Sequence, residues 1–336
     1  MGEVLLDVRD LKVYFPTADG VVKAVDGVSF TVERGETLGV VGESGSGKSV
    51  SFLSVLGLYN RQNAIVEGEI IFRGRNMLDL SKDELRDVRG SGMSMVFQDP
   101  MTSLHPLYRV GDQIMEAIRA HRDVPKSEAR AQAVEMLRRV GIPRPEDRVR
   151  QYPHEFSGGM RQRAMIAMAL SLNPDLLIAD EPTTALDVTV QAQILDLIDR
   201  LKQEFDAAVV IITHDLGVVA EHCATIQVMY AGRIVERGTR DDIYYGSHMP
   251  YTWGLLQSIS RLDTETDRLL PIRGQPPSMI HLPPGCPFNP RCPYVMDVCL
   301  ESVPELLAAE GIHASACHLP RSEKERIFAE EVAQRT

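Results

Sequence analysis

Gly42, Glu43, Ser44, Gly45, Ser46, Gly47, Lys48 and Ser49 have the types and spacing of a loop that closes backbone N–H groups around phosphate oxygens. In that template the lysine reaches the β- and γ-phosphates and the last hydroxyl binds Mg²⁺, roles that fall to Lys48 and Ser49. A second chemical pair stands far downstream, where the apolar run LLIAD at 176–180 ends in Asp180 and Glu181 follows. A carboxylate at the end of a buried strand can hold the Mg²⁺ shell, and the next one can polarise an attacking water.

The elements that must position these groups can be read from periodicity. LGVVG at 38–42 is a short buried-strand pattern and SVSFLSVLGL, from Ser49, is helical, so the octet lies between strand and helix as the template requires. Residues 4–14 and 28–33 carry β-rich alternation. From about 104 to 152 the pattern turns helical, with Ile114, Ile118, Val134, Leu137 and Val140 at three- and four-residue spacings. LLIAD, AVVIIT at 208–213 and TIQVMY at 225–230 alternate with helical segments, the signature of a parallel α/β sheet.

The whole chain sets the frame. Its 336 residues, 44% hydrophobic and 25% charged, predict one large core with an appendage. A net charge of -11 argues against a surface built to grip nucleic acid. The start MGEVLLDVRD lacks a secretion-signal pattern, and no run approaches the roughly 20 apolar residues that span a bilayer, so a soluble, cytoplasmic protein is expected.

The discriminating segment is Phe156-Ser157-Gly158-Gly159-Met160-Arg161-Gln162, which resembles the LSGGQ signature of ABC ATPases, with Phe for Leu and Met for Gln. A Ser-Gly-Gly turn opening a helix makes a second anion site, able to grip a γ-phosphate held by another subunit. The resemblance assigns further parts: Gln98 in VFQDP is similar to the Q-loop, Ala185-Leu186-Asp187 to the D-loop, and His214 in IITHD to the switch histidine. Gln98 can ligate Mg²⁺, and His214 can contact the γ-phosphate and orient Glu181. Counting back from Ala24 as the family does selects Phe15 for stacking on adenine, with Tyr14 as the alternative. The implied fold is α/β: a phosphate-loop (RecA-like) ABC ATPase core at 1–245 with a β-subdomain and an α-helical subdomain inserted at about 104–152.

Beyond residue 245 lies a Pro-rich tract, Gly274 to Pro290, then a small cap holding Cys286, Cys292, Cys299 and Cys317, then a charged helix within RSEKERIFAEEVAQRT. Cys223 stands apart and reads as core packing. Four clustered cysteines without CxxC pairs suit a [4Fe–4S] cluster as well as zinc, and His313 and His318, flanking the last cysteine, keep zinc open. GQPPSMIHLPPG followed by GCPFNPRCP, together with MPYTWGLLQSI at 249–259, resembles the extension of dipeptide/oligopeptide permease ATP-binding subunits, some of which carry a [4Fe–4S] cluster there.

The resemblance implies an ATP- and Mg²⁺-dependent motor for peptide import. It works as a dimer with a second ABC ATPase subunit, a copy of itself or a related chain, beside two transmembrane permease subunits. An external binding protein delivers the solute, no nucleic acid is involved, and the motor sits peripherally on the cytoplasmic face of the membrane. The same motor serves nickel or glutathione in related systems; soluble ABC ATPases and redox-sensing regulators are the competing classes.

Overall fold

A computed structural model of the chain describes residues 2–60, 62–184, 186–258 and 272–333. These fall into two compact units. The first comprises residues 1–5, 32–36 and 79–212; the second comprises 6–31, 37–78 and 213–336.

In the first unit the strands β6 (Met93–Val96), β7 (Leu176–Asp180) and β8 (Ala208–Thr213, whose last residue belongs to the second unit) run parallel, with β7 between the other two. Every residue of the three is buried, which is why they read as unbroken apolar runs rather than alternating ones. Helices Val110–His121 and Lys126–Arg139 pack on each other, and the second also packs on helix Gly158–Leu170. Ile114, Ile118, Leu137 and Val140 are buried as their spacing predicts. Val134 is only half-buried, whereas Ala129 and Ala133 of the same helix are fully buried.

The second unit holds an antiparallel sheet in the order β2 (Gly20–Glu33), β1 (Val4–Thr17), β4 (Ile65–Phe72), β5 (Arg75–Asn76), the outer ends of β1 and β2 belonging to the first unit. It also holds β3 (Thr37–Val41), parallel to β9 (Thr225–Tyr230). From β9 the strands continue antiparallel through β10 (Arg233–Thr239) and β12 (His313–Ser315) to β11 (Leu307–Glu310). Two strands from the C-terminal region thus extend the same sheet that holds β3.

The C-terminal helix runs Arg321–Ile327 and continues as one wide turn to Val332. Most of its charged residues are exposed, while Lys324, Ile327, Phe328 and Val332 are buried, so it is packed onto the fold. Ala185 of the D-loop segment, Ile259 at the end of MPYTWGLLQSI and residues 334–336 lie outside the described residues. No described helix is long and apolar enough to cross a membrane.

Candidate active site

The phosphate loop leaves β3 at its carboxyl end, the edge where open parallel sheets place ligands, and turns into helix Lys48–Val55. Two glycines dictate its path. A Cβ at Gly42 would stand 2.2 Å from the Met229 carbonyl oxygen, and one at Gly47, with φ 100°, would stand 2.3 Å from the Ala24 carbonyl oxygen. Only glycine fits such approaches. Ser44 and Gly45 are exposed, and nothing lies within 4 Å of a Cβ at Gly45, so the mouth of the cradle is open.

Lys48 is 5% exposed and curls back over the loop, donating to the carbonyls of Gly42 (2.6 Å) and Glu43 (3.0 Å). Ser46 bridges the loop to the turn between β9 and β10, its carbonyl accepting from Gly232 N–H at 3.0 Å. Ser49 is half-buried in the first helical turn. The loop therefore has the open cradle, the cation and the hydroxyl that a nucleotide triphosphate with Mg²⁺ needs. Phe15 is half-buried; the Tyr14 hydroxyl donates to Asp26 at 2.5 Å, and the Lys23 ammonium stands 5.9 Å from its ring centre. The exposed His214 follows β8.

In the first unit, Asp180 is buried at the end of β7, opposite Ile212 of β8. Glu181 then adopts φ 46°, a left-handed conformation that a non-glycine residue holds only when its surroundings impose it. Its N–H is captured by the Ile212 carbonyl at 2.8 Å. That turn presents the carboxylate to Gln98, whose amide Nε2 donates to Glu181 Oε2 at 2.8 Å, and to Thr184, whose hydroxyl donates to the same oxygen at 2.8 Å. Gln98 and Glu181, 83 residues apart, are thus brought together.

The signature segment opens helix Gly158–Leu170 with Ser157 as N-cap, its hydroxyl accepting from Met160 N–H at 3.3 Å. Ser157 and Gly158 face solvent, while Phe156 is buried and anchors the turn. Buried Gln162 donates to the Pro182 carbonyl at 2.7 Å, tying the signature helix to the turn that follows Glu181. Asp187 caps the helix Val188–Phe205, accepting from Val190 N–H at 3.0 Å.

The four clustered cysteines line one small apolar cavity, with Phe288, His318 and Leu319 among its other walls. A Cβ at Gly285 would stand 2.3 Å from the Cys299 carbonyl oxygen, and Cys286 N–H donates to that carbonyl at 2.8 Å, which joins the first and third cysteines. Burial pushes the Cys286 thiol up to about 11 and the Cys292 thiol up to about 12, and raises that of Cys317. Among the described residues, no group of three or more His, Cys, Asp or Glu side chains is set to hold a metal ion. His313 is engaged elsewhere, 3.0 Å from the buried carboxylate of Glu236, and His318 Nε2 lies 2.9 Å from the Ser302 carbonyl.

Sequence reading singled out none of Thr184, Arg291 and Tyr251, although Arg291 and Tyr251 lie inside the family-like segments GCPFNPRCP and MPYTWGLLQSI. Thr184 sits beside a motif but belongs to none, and Arg291 meets Glu43 across 248 residues of sequence. No local spacing reports such a pairing.

This fold and loop set define an ATP-binding cassette. The family described as ABC transporter matches residues 25–184, and the one described as oligopeptide/dipeptide transporter, C-terminal region, matches residues 235–299. The chain is 52% identical over 322 residues, 96% of each chain, to the oligopeptide transport ATP-binding protein OppD of Salmonella typhimurium. It is 51% identical over 318 residues, 94% of this chain and 95% of the other, to the dipeptide transport ATP-binding protein DppD of Bacillus subtilis. A dimeric ATP-binding cassette solved in a post-hydrolysis state with ADP and Pi superposes with a TM-score of 0.63 at 28% identity, covering 70% of this chain and 98% of that one. The chain belongs to the oligopeptide/dipeptide branch of the ABC transporter ATP-binding proteins.

Proposed function

We propose that this chain hydrolyses ATP to power import of dipeptides or oligopeptides. The observation that carries the chemistry is Glu181, turned into a left-handed conformation and held by Gln98 and Thr184. A carboxylate fixed in this way can accept a proton from water as it attacks the γ-phosphate, with ADP and phosphate as products. Lys48 exchanges its two loop carbonyls for phosphate oxygens. The Gln98 amide leaves the Glu181 carboxylate, freeing Oε2 for the water; in this reading Gln98 also senses the permease. Asp180, at the strand end, holds the Mg²⁺ shell; the family resemblance assigns Mg²⁺ to Ser49 and Gln98, adenine stacking to Phe15, γ-phosphate contact to His214, and a place in the nucleotide site to Asp187 of the D-loop.

The turn Ser157-Gly158-Gly159, whose first two residues face solvent, supports a composite site completed by a second ATPase subunit, so that ATP binds the dimer together and hydrolysis releases it. Residues 1–245 are the nucleotide-binding domain, with 104–152 as the helical subdomain that receives two transmembrane permease subunits, and 246–336 are the peptide-permease extension. The complex sits on the cytoplasmic face of the membrane and takes its solute from an external binding protein.

A [4Fe–4S] cluster on Cys286, Cys292, Cys299 and Cys317 is carried by the family resemblance; the four side chains line one small apolar cavity but are not gathered as a ligand set. When bound, the cluster would cross-link the short turns of the cap. Iron, sulfide and zinc assays on anaerobically purified protein test this: about four irons per chain are expected, and zinc or no metal overturns it. For the motor, Glu181→Gln is expected to retain ATP binding, trap a dimer and lower turnover by about 10²–10⁴-fold, as loss of a general base does; brisk hydrolysis by this variant removes Glu181 from the role.

A further inference from the structure

The first variable residue of the phosphate loop is held from the far end of the chain. The Glu43 carboxylate receives both terminal nitrogens of Arg291, at 2.6 and 2.9 Å, and its backbone N–H donates to the Tyr251 hydroxyl at 2.8 Å. Arg291 lies between Cys286 and Cys292 in the short turn Asn289–Arg291 and is only 9% exposed. Its Nε donates to the Arg273 carbonyl at 3.0 Å. The rings of Tyr230, Tyr251 and Phe288 pack together at 4.5 to 5.4 Å, and the guanidinium lies 5.8 Å from the Tyr230 centroid. Burial disfavours the guanidinium charge, yet the hydrogen bonds and charge of Glu43 outweigh that and raise its pKa. Pro276, Pro277 and Met279 line the same small cavity as loop residues 43–46.

We propose that Arg291 and Tyr251 are positioning residues for the phosphate loop, through which the C-terminal extension sets the loop's affinity for nucleotide. A glutamate inside an anion-binding loop opposes the anion. Arg291 cancels that charge with a two-point grip, which also fixes the direction of the side chain. Removing the guanidinium leaves a carboxylate beside the cradle, where its repulsion acts over a few ångströms through protein rather than bulk water. Tyr251 fixes the backbone of the same residue, so the loop enters its turn from one defined orientation. The inference rests on the loop binding nucleotide and is independent of what the four thiols hold.

Titration of the purified full chain with a fluorescent ATP analogue tests it, using Arg291→Ala, Glu43→Gln and the double variant. Arg291→Ala is expected to weaken binding by about tenfold, more at low salt than at high, and Glu43→Gln in the same chain restores most of the loss because the uncancelled charge is gone. An unchanged affinity in Arg291→Ala, or a loss that Glu43→Gln does not reverse, overturns the proposal. Should Arg291→Ala fail to fold, Arg291→Gln carries the same test, since it removes the charge but keeps a long polar side chain: a loss reversed by Glu43→Gln supports the role and an unreversed loss overturns it. Tyr251→Phe keeps the ring packing and is expected to weaken binding about threefold, the scale of one hydrogen bond; wild-type affinity there removes Tyr251 from the role. A wild-type chain that does not bind the analogue overturns the nucleotide site itself, and Lys48→Ala separates that failure from the other.

Discussion

The phosphate loop and the cysteine-bearing cap lie in one compact unit and are built on opposite principles. The loop is eight consecutive residues whose path is forced by Gly42 and Gly47, and whose one buried cation bonds to carbonyls five and six residues away. The cap is assembled from turns and two short strands, and its fixed points come from distant sequence. Ser315 of β12 pairs with Glu236 of β10, Arg291 grips Glu43, and His313 bonds the Glu236 carboxylate. Local conformational restriction suffices for a phosphate cradle. A region too small to bury a core of its own must borrow polar anchors from the sheet it extends.

Perturbing each region sharpens the contrast. Lys48→Ala should abolish detectable nucleotide binding while leaving thermal stability nearly unchanged, as measured by nucleotide titration beside a melting curve; retained affinity would break the phosphate-loop assignment. Glu236→Ala should do the reverse. Its carboxylate is 0% exposed and accepts from the Ser247 hydroxyl, the His248 N–H and His313. Breaking a buried network of this kind costs about 3–5 kcal/mol, so the melting temperature should fall sharply. An unshifted melt would show that the cap is not anchored there.

The smallest effect is in pH dependence. Burial first, and then the neighbouring His313 ring at 4.5 Å, hold the His248 pKa below its ordinary value of 6.5. With the folded value below the unfolded one, the unfolded chain takes up protons first as pH falls through 6.5, and stability declines from there down to the folded pKa. Melting temperature should therefore drop between pH 7 and the acid side of 6, and His248→Gln should flatten that slope; an unaltered slope would assign it to other groups.

How much was legible follows the same division. β3, β7, β8 and β9 were readable because strands buried on both faces are continuous apolar runs, and the octet between strand and helix needed no tertiary information. Val134 proved only half-buried and Ala129 and Ala133 fully buried, because apolar spacing marks the large residues of a helix face and passes over the small ones. His313 looked like a metal ligand from its place beside Cys317, and folding turned it to Glu236 instead.

By itself the sequence determined the local geometry that depends on neighbours along the chain: a glycine-shaped loop between strand and helix, a pair of carboxylates at a strand end, and a serine-capped helix. Only the tertiary structure decided that Glu181 meets Gln98 and Thr184, that four cysteines share one cavity, and that Arg291 closes on Glu43. Spacing encodes conformation over a few residues, whereas a bond across 248 residues exists only once strands have paired and burial has made an unpartnered charge too costly to leave.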